Sequence, residues 1–281
     1  MLWSSQSRHR NYRTLKLKDF TEKLINAGVA NPYQEALWIA AHALGIDTAG
    51  ILARAEFSQD EAQRIDALIS RRVKREPLQY IIGEADFYGR DFYVGKGVLI
   101  PRHDTETIID GVKKCFQRDD TFRFLDWGTG SGCIGATILL EFPNSRGVML
   151  DVSDKALSFA HKNLKRYCLN DRADFKVSGA FDLIVSNPPY IPSGEINGLM
   201  REVRDFEPIT ALDGGIDGMT FYREILALAF NNLKSGGYII LETGNFSQVE
   251  EIETFSGFQK AGRVYDTGDF PRCVILRRIL S

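Results

Sequence analysis

The stretch Phe181-Asp182-Leu183-Ile184-Val185-Ser186-Asn187-Pro188-Pro189-Tyr190 decides how the rest of the chain is read. Phe181 to Val185 is apolar almost without a break, the pattern of a central strand covered on both faces. Two prolines then stop it, because proline has no N–H with which to continue a ladder. In an open α/β sheet, ligands bind outside the carboxyl ends of the strands. At such an end Asn187-Pro188-Pro189-Tyr190 offers one amide side chain, backbone carbonyls with no neighbouring N–H to satisfy them, and one aromatic ring. A strand followed by a plain Pro-Pro turn accounts for the same residues without chemistry. The flanking sequence decides between the two.

Upstream the order is β-α-β. Phe122 to Asp126 reads as a strand, Gly128 to Gly132 as a glycine-rich turn and Cys133 to Phe142 as a helix. Gly147 to Leu150 is the next strand, closed by Asp151, with a helix from Ala156 to Tyr167. Downstream come a helix over Met219 to Leu233, a turn at Gly236-Gly237 and a strand from Tyr238 to Glu242. Phe258 and Cys273 to Leu276 supply an antiparallel closing hairpin. This alternation predicts an α/β fold, a mostly parallel Rossmann-like sheet with helices on both faces.

Glycines in Asp126-Trp127-Gly128-Thr129-Gly130-Ser131-Gly132 let a ligand approach the backbone, with helix N-terminal N–H groups aimed at it. Asp151 stands where an acid accepts hydrogen bonds from two ribose hydroxyls. The G-x-G-x-G spacing is not the dinucleotide G-x-G-x-x-G, and no P-loop lysine is present. That leaves an adenosine-type ligand without a pyrophosphate, for which S-adenosylmethionine (SAM) is the candidate. Its expected contacts are Gly128, Thr129, Gly130, Ser131, Gly132, Asp151 and Asn187. Glu242-Thr243-Gly244 is expected to shape the pocket floor.

With 281 residues, the chain is long enough for one large domain or two unequal ones. Its formal net charge of −2 argues against bulk attraction to nucleic acid. No apolar run approaches the roughly 18 residues of a membrane span. Cys115, Cys133, Cys168 and Cys273 show no C-x-x-C spacing, and the four histidines form no ligand-spaced pair, so no metal is expected. Residues 1–16 are basic, as in a solvated tail or an organelle transit peptide. Residues 17–76 read as a small helical bundle. Asn31-Pro32 and Asp47 open helices, Ser58 with Glu61 forms a capping box, and Gly28 and Gly45 stop helices. Its expected use is to hold a partner or to wall a cleft. Residues 77–100 form a β-hairpin linker around Phe87 to Val94, whose aromatic residues are expected to pack between the domains, and 101–281 carry the catalytic fold. Asp104 is placed to cap the helix containing Ile108, Ile109 and Val112.

Several stretches together resemble one family. They are Gln79-Tyr80-Ile81-Ile82-Gly83-Glu84, Val98-Leu99-Ile100-Pro101-Arg102, Asp104-Thr105-Glu106, the Gly128–Gly132 turn, Val185 to Pro192, Phe206-Glu207-Pro208 and Ala211 to Gly215. The chain is similar here to the HemK/PrmC class I SAM-dependent methyltransferases, which methylate release-factor glutamine. That resemblance implies transfer to the GGQ glutamine of class I peptide chain release factors, in the cytoplasm or, if the N-terminus is a transit peptide, the mitochondrial matrix. No stable nucleic acid or membrane partner is expected. It gives Asn187, Pro188 and Tyr190 the catalytic work, and Asn187, Pro188, Pro189 and Tyr190 the substrate. A carboxamide nitrogen is a poor nucleophile because its lone pair is delocalised. Acceptors on both its N–H groups, from Asn187 and the Pro188 carbonyl, would orient it and meet developing positive charge. Tyr190 is expected to pack on the flat amide.

Two alternatives remain at this point: a DNA-adenine or RNA-base methyltransferase using the same tetrad on a flipped base, and a non-catalytic SAM-fold binding protein. Trp127 departs from the family's smaller residue, and His103 stands where proline is common and reads as a surface or cap residue. Only Ser178-Gly179-Ala180 separates a possible third strand, Asp174 to Val177, from the Phe181 strand. Three extended residues reach only about 10 Å, too little for a parallel crossover. The third strand is therefore expected to be absent or distorted, with an open adenine side.

Overall fold

The computed structural model describes residues 15–279, so most of the basic N-terminal segment lies outside the described residues. Its last two residues are engaged. Leu15 bridges Phe57, and Lys16 precedes the first helix with its N–H donating to Asp19. The chain divides into two units, Met1–Ile82 and Gly83–Ser281.

In the first unit, α1 (Leu17–Asn26), α2 (Pro32–Leu44), α3 (Thr48–Leu52), α4 (Gln59–Val73) and α5 (Leu78–Ile82) surround a core of Phe20, Leu24, Ile39, Ile51, Ile65 and Ile69. Asp47 caps α3 through Gly50 N–H, and Ser58 and Glu61 form the expected reciprocal box. Asn31 occupies the N-cap position of α2 without a side-chain cap; Pro32 at the first helical position leaves one fewer N–H to satisfy. The segment expected to begin a linker instead makes α5, because Ile81 buries itself in the bundle core.

The second unit opens with a hairpin, β1 (Glu84–Phe87) and β2 (Arg90–Tyr93), turning at Tyr88-Gly89. Phe87 and Phe92 are fully buried in this unit's own core, since the hairpin's alternation points both to one face. A single 3₁₀ turn, His103–Glu106, leads into α6 (Thr107–Cys115). That extra turn displaces Asp104 from the expected cap. Its carbonyl accepts the Thr107 hydroxyl at 2.6 Å, and its carboxylate meets Arg272 at 3.2 Å. His103 is exposed, with Nδ1 3.1 Å from Glu106. Asp86, from the preceding hairpin, joins these two, so three potential metal-ligating groups meet at the surface.

The sheet then builds in chain order: β3 (Arg123–Trp127), α7 (Cys133–Glu141), β4 (Arg146–Leu150), α8 (Asp154–Arg166), β5 (Ala173–Asp174) and β6 (Phe181–Ser186). After the short α9 (Arg201–Arg204) follow α10 (Thr220–Asn232), β7 (Leu233–Glu242), α11 (Phe246–Glu253), β8 (Phe258–Val264) and β9 (Cys273–Arg278). The seven strands lie in the order β5-β4-β3-β6-β7-β9-β8. The first five are mutually parallel, and β9 runs antiparallel to both its neighbours. The expected turn at Gly236-Gly237 is absorbed into β7 as an irregularity, between the Phe181–Leu233 and Leu183–Tyr238 pairs. Alternation sets the layers. Phe124, Leu183, Val185 and Ile240 face α6, α7 and α8, whereas Leu125, Ile184, Ile239 and Leu241 face α10 and α11.

The third strand is a stub. β5 pairs with β4 only at Ala173 and Asp174, and Phe175 leaves the ladder to stack on His161 at 3.7 Å. Stopping there leaves residues 175–180 to cross beneath β4 and β3, and Arg123 at the foot of β3 holds the Ser178 carbonyl on the way. Three strand spacings amount to about 14 Å, within reach of that segment but beyond the reach of three residues. The chain has shortened the strand to free enough length for the crossing.

Candidate active site

β3, β4 and β6 deliver their carboxyl ends to one cavity of about 600 Å³, within the usual range for small-molecule sites. Asp126, at the end of the apolar run of β3, organises the first turn. Its Oδ2 accepts the Thr129 hydroxyl at 2.6 Å and the Gly135 N–H at 3.0 Å. Burial pushes this carboxyl up to about 7, a shift that the charge of Asp151 reinforces and the two hydrogen bonds oppose. Gly128 has φ 71° and open space where a Cβ would stand, so the turn presents bare backbone to the cavity.

Asp151 closes the other side. Its Oδ2 accepts Gly130 N–H and its Oδ1 accepts Ser153 N–H, each at 2.9 Å. A carboxylate oxygen has two lone pairs, so one on each oxygen stays available for the paired hydroxyls of a ribose. These spare acceptors and the bare turn fit an adenosine-type ligand. Val152 beside it is 96% exposed, and no residue of 173–180 lines the cavity, so the truncated third strand contributes no wall there.

At the end of β6 the chain leaves the sheet as expected. Asn187 lines the cavity and donates from Nδ2 to Thr105 Oγ1 at 3.0 Å. Pro189 also lines it, whereas Pro188 is buried and Tyr190 is not at the wall. The Tyr190 hydroxyl donates to Glu242 Oε1 at 3.2 Å, and its ring lies so close to Gly244 that a Cβ there would sit 2.6 Å away. Burial and the neighbouring Glu242 carboxylate raise the Tyr190 phenol well above its ordinary range. Glu242, fully enclosed, is pushed up to about 7 by burial; Thr105, Arg272 and Tyr190 oppose that shift.

Of the expected cofactor contacts, Gly128, Thr129, Gly130, Ser131, Asp151 and Asn187 share this cavity. Gly132 does not line it. It begins α7 at φ 78°, packed so closely on Ala160 that a Cβ would come within 3.0 Å. The aromatic surface of the cavity comes from Trp127 and Phe221, whose rings are 5.9 Å apart, so Trp127 both fills core and faces the ligand space. The Pro208–Ala211 segment walls the far side. Buried Glu207 anchors it by pairing with Arg102 and accepting Ile100 N–H at 3.0 Å. Function-directed reading of the sequence did not single out Asp126 or Thr105. Asp126 had a visible signal, an acid ending an apolar strand; Thr105 stands in the Asp104-Thr105-Glu106 stretch, but no local rule pairs it with Asn187, 82 positions away.

A family model described as the PrmC N-terminal domain matches residues 16–83, and one described as a methyltransferase small domain matches residues 111–201. A release factor glutamine methyltransferase of Geobacter sulfurreducens is 39% identical over 257 residues, covering 88% of each chain. One of Thermodesulfovibrio yellowstonii is 36% identical over 279 residues, covering 95% of this chain and all of that one. Among solved structures, the hMettl16 catalytic domain in complex with the MAT2A 3′UTR hairpin 6 superposes with a TM-score of 0.50 at 17% identity. That match covers 80% of this chain and 83% of that one, a likeness of fold alone.

Proposed function

The chain belongs to the release factor glutamine methyltransferase family, and on that premise we propose that it methylates the GGQ-loop glutamine of class I peptide chain release factors. The methyl group passes from SAM, which leaves as S-adenosylhomocysteine, to the side-chain amide nitrogen, and the nitrogen then loses one proton to water, giving N5-methylglutamine. One observation carries the assignment within this molecule: Asn187 stands on the wall of the same cavity as the Gly128–Ser131 turn and Asp151. Bound SAM supplies a methyl carbon made electrophilic by its sulfonium. Asp151 takes the ribose hydroxyls on its two spare lone pairs, and the turn accepts the ligand against its backbone. Asn187 Oδ1 and the Pro188 carbonyl each accept one N–H of the substrate carboxamide. Held so, the nitrogen is oriented toward the donor methyl, and charge developing on it meets acceptors already in place. Trp127, Phe221 and Ile209 make the surroundings apolar, which strengthens those interactions.

The helical unit is assigned the holding of the release factor, the use its sequence suggests for it. No stable nucleic-acid or membrane partner belongs to this reading. Its compartment is one where translation terminates, the cytoplasm or the mitochondrial matrix. Among the described residues no helix is long and apolar enough to cross a membrane.

The test is methyl transfer from labelled SAM to a purified release factor, beside its variant with alanine for the GGQ glutamine and beside duplex DNA. Label on the unaltered factor alone is expected. Label on DNA, or on the variant equally, would overturn the proposal.

A further inference from the structure

An asparagine amide used as an acceptor is only as good as its orientation. Rotated by half a turn, Asn187 would present two N–H donors to a substrate amide that also presents N–H, and the contact would become repulsive. What sets the orientation lies behind the cavity wall. Asn187 Nδ2 donates to Thr105 Oγ1 at 3.0 Å, and Thr105, 3% exposed, belongs to the 3₁₀ turn before α6. Behind Thr105 lies the carboxylate of Glu242, at the end of β7 and 1% exposed, whose Oε1 takes the Tyr190 hydroxyl and whose buried Oε2 has no hydrogen-bond partner among the described residues. An ionised carboxylate has no proton and only accepts. Turned toward that unpartnered oxygen, the Thr105 proton leaves the Thr105 lone pairs facing Asn187, which sets Nδ2, not Oδ1, toward Thr105, as the 3.0 Å contact has it. The polarity of one buried carboxylate is thereby handed through one hydroxyl to the amide at the wall.

We propose that Thr105 is a positioning residue for methyl transfer: with Glu242 it fixes the Asn187 amide so that Oδ1 faces the substrate. This rests on the reading of Asn187 as the substrate's acceptor and adds the residues that make it one.

The arrangement carries a pH signature. Protonated Glu242 can donate to Thr105, freeing the Thr105 hydroxyl to donate toward Asn187 and removing the preference for the productive orientation. Groups on other elements also face Glu242: Asp104 beside Thr105, Tyr190 after β6, Tyr222 of α10, and Arg272 with Cys273 at the foot of β9. Burial holds the carboxyl up at about 7, so the change falls in an accessible range. Activity is expected to rise with pH through that region.

The experiment compares Thr105→Val, Thr105→Ser and Glu242→Gln with the wild type and Asn187→Ala, using the full chain, SAM and a purified release factor. Valine keeps the shape of threonine and removes the hydroxyl, so kcat is expected to fall at least about 10-fold while KM for SAM stays within about 2-fold, the separation expected of a group acting on the transition state. Serine restores the hydroxyl and should recover activity to within about 3-fold of wild type. The rise in kcat through pH 7 should flatten in both the valine and the glutamine variants. Calorimetric SAM binding by each variant confirms a folded site. If wild type methylates and Asn187→Ala does not, yet Thr105→Val keeps wild-type kcat and pH profile, the positioning role is refuted while the function stands. Should Thr105→Ser be as impaired as Thr105→Val, packing rather than the hydroxyl matters, and the proposal is equally overturned. Absence of transfer by the wild type itself would instead remove the reading of Asn187 on which the proposal depends.

Discussion

Replacing Asp126 by asparagine should flatten the pH dependence of this protein's stability. Asp126 is fully buried, and its carboxyl is raised from 3.8 to about 7, mainly by loss of hydration. A folded-state value above the unfolded one means that the native state holds the proton more tightly. The resulting stabilisation is complete below pH 3.8 and disappears as pH rises through about 7. Between pH 5 and pH 8 it amounts to about 2.5 kcal/mol, from roughly two units of difference at 1.36 kcal/mol each. Asparagine keeps an acceptor for the Thr129 hydroxyl and Gly135 N–H but cannot ionise. Glu242 has a similar slope, raised from 4.5 to about 7, and cancels when variant and wild type are subtracted. Urea unfolding at the two pH values, followed by far-UV circular dichroism, supplies the four free energies needed. Wild type should lose about 2.5 kcal/mol more than Asp126→Asn on going from pH 5 to pH 8. Equal losses in the two proteins would refute the argument that this buried carboxyl binds a proton near neutrality.

Three other substitutions test the site. Asp151→Ala removes both acceptors offered to the ribose and releases Gly130 and Ser153 N–H, so SAM affinity by calorimetry should fall at least about 10-fold, the loss of one charged hydrogen bond. Asn187→Ala should lower kcat for release-factor methylation about 10²- to 10³-fold, as for removal of one preorganised transition-state contact, with SAM affinity changed by less than about 3-fold. Gly244→Ala inserts a Cβ 2.6 Å from the Tyr190 ring, which must move away from Glu242; a melting temperature lowered by several degrees is expected, about 1–3 kcal/mol of overpacking.

Much of the architecture was legible because it rests on local rules. The apolar run to Val185 and its proline stop placed β6, and the glycines after Asp126 placed the first turn. Asp151 reads as a ligand contact because an acid closing the second strand has a specific use, and it does stand on the cavity wall. What escaped was set by distance in space. Asp104 reads as a cap from its position, and only the additional 3₁₀ turn turns it toward Arg272. Phe87 and Phe92 read as an interface because nothing local says which apolar surface they will meet. Tyr190 reads as a substrate contact from its place in the tetrad, and no local rule says that its hydroxyl will meet Glu242, 52 positions away. His103 and Glu106 share one turn, but the arrival of Asp86 beside them has no sequence spacing to betray it. The shortened third strand follows from length alone, and there the arithmetic of chain reach sufficed, though the strand starts one position before Asp174 and ends three before Val177.

That stub has a consequence for how the chain can vary. Asp174 is level with Val148, and through Leu125 with Ile184, so the link to Phe181 must descend three residues as well as cross three strand spacings. The straight path is about 17 Å, and the seven Cα steps available span at most about 24 Å. Removal of two residues would leave the link drawn tight, whereas added residues would only bow outward at the open edge of β4. Length at 175–180 is thus a one-way variable, free to grow and almost unable to shrink. For anyone re-engineering the nucleoside side of the cavity, this is the place to splice in new chain, because the sheet behind it does not have to move.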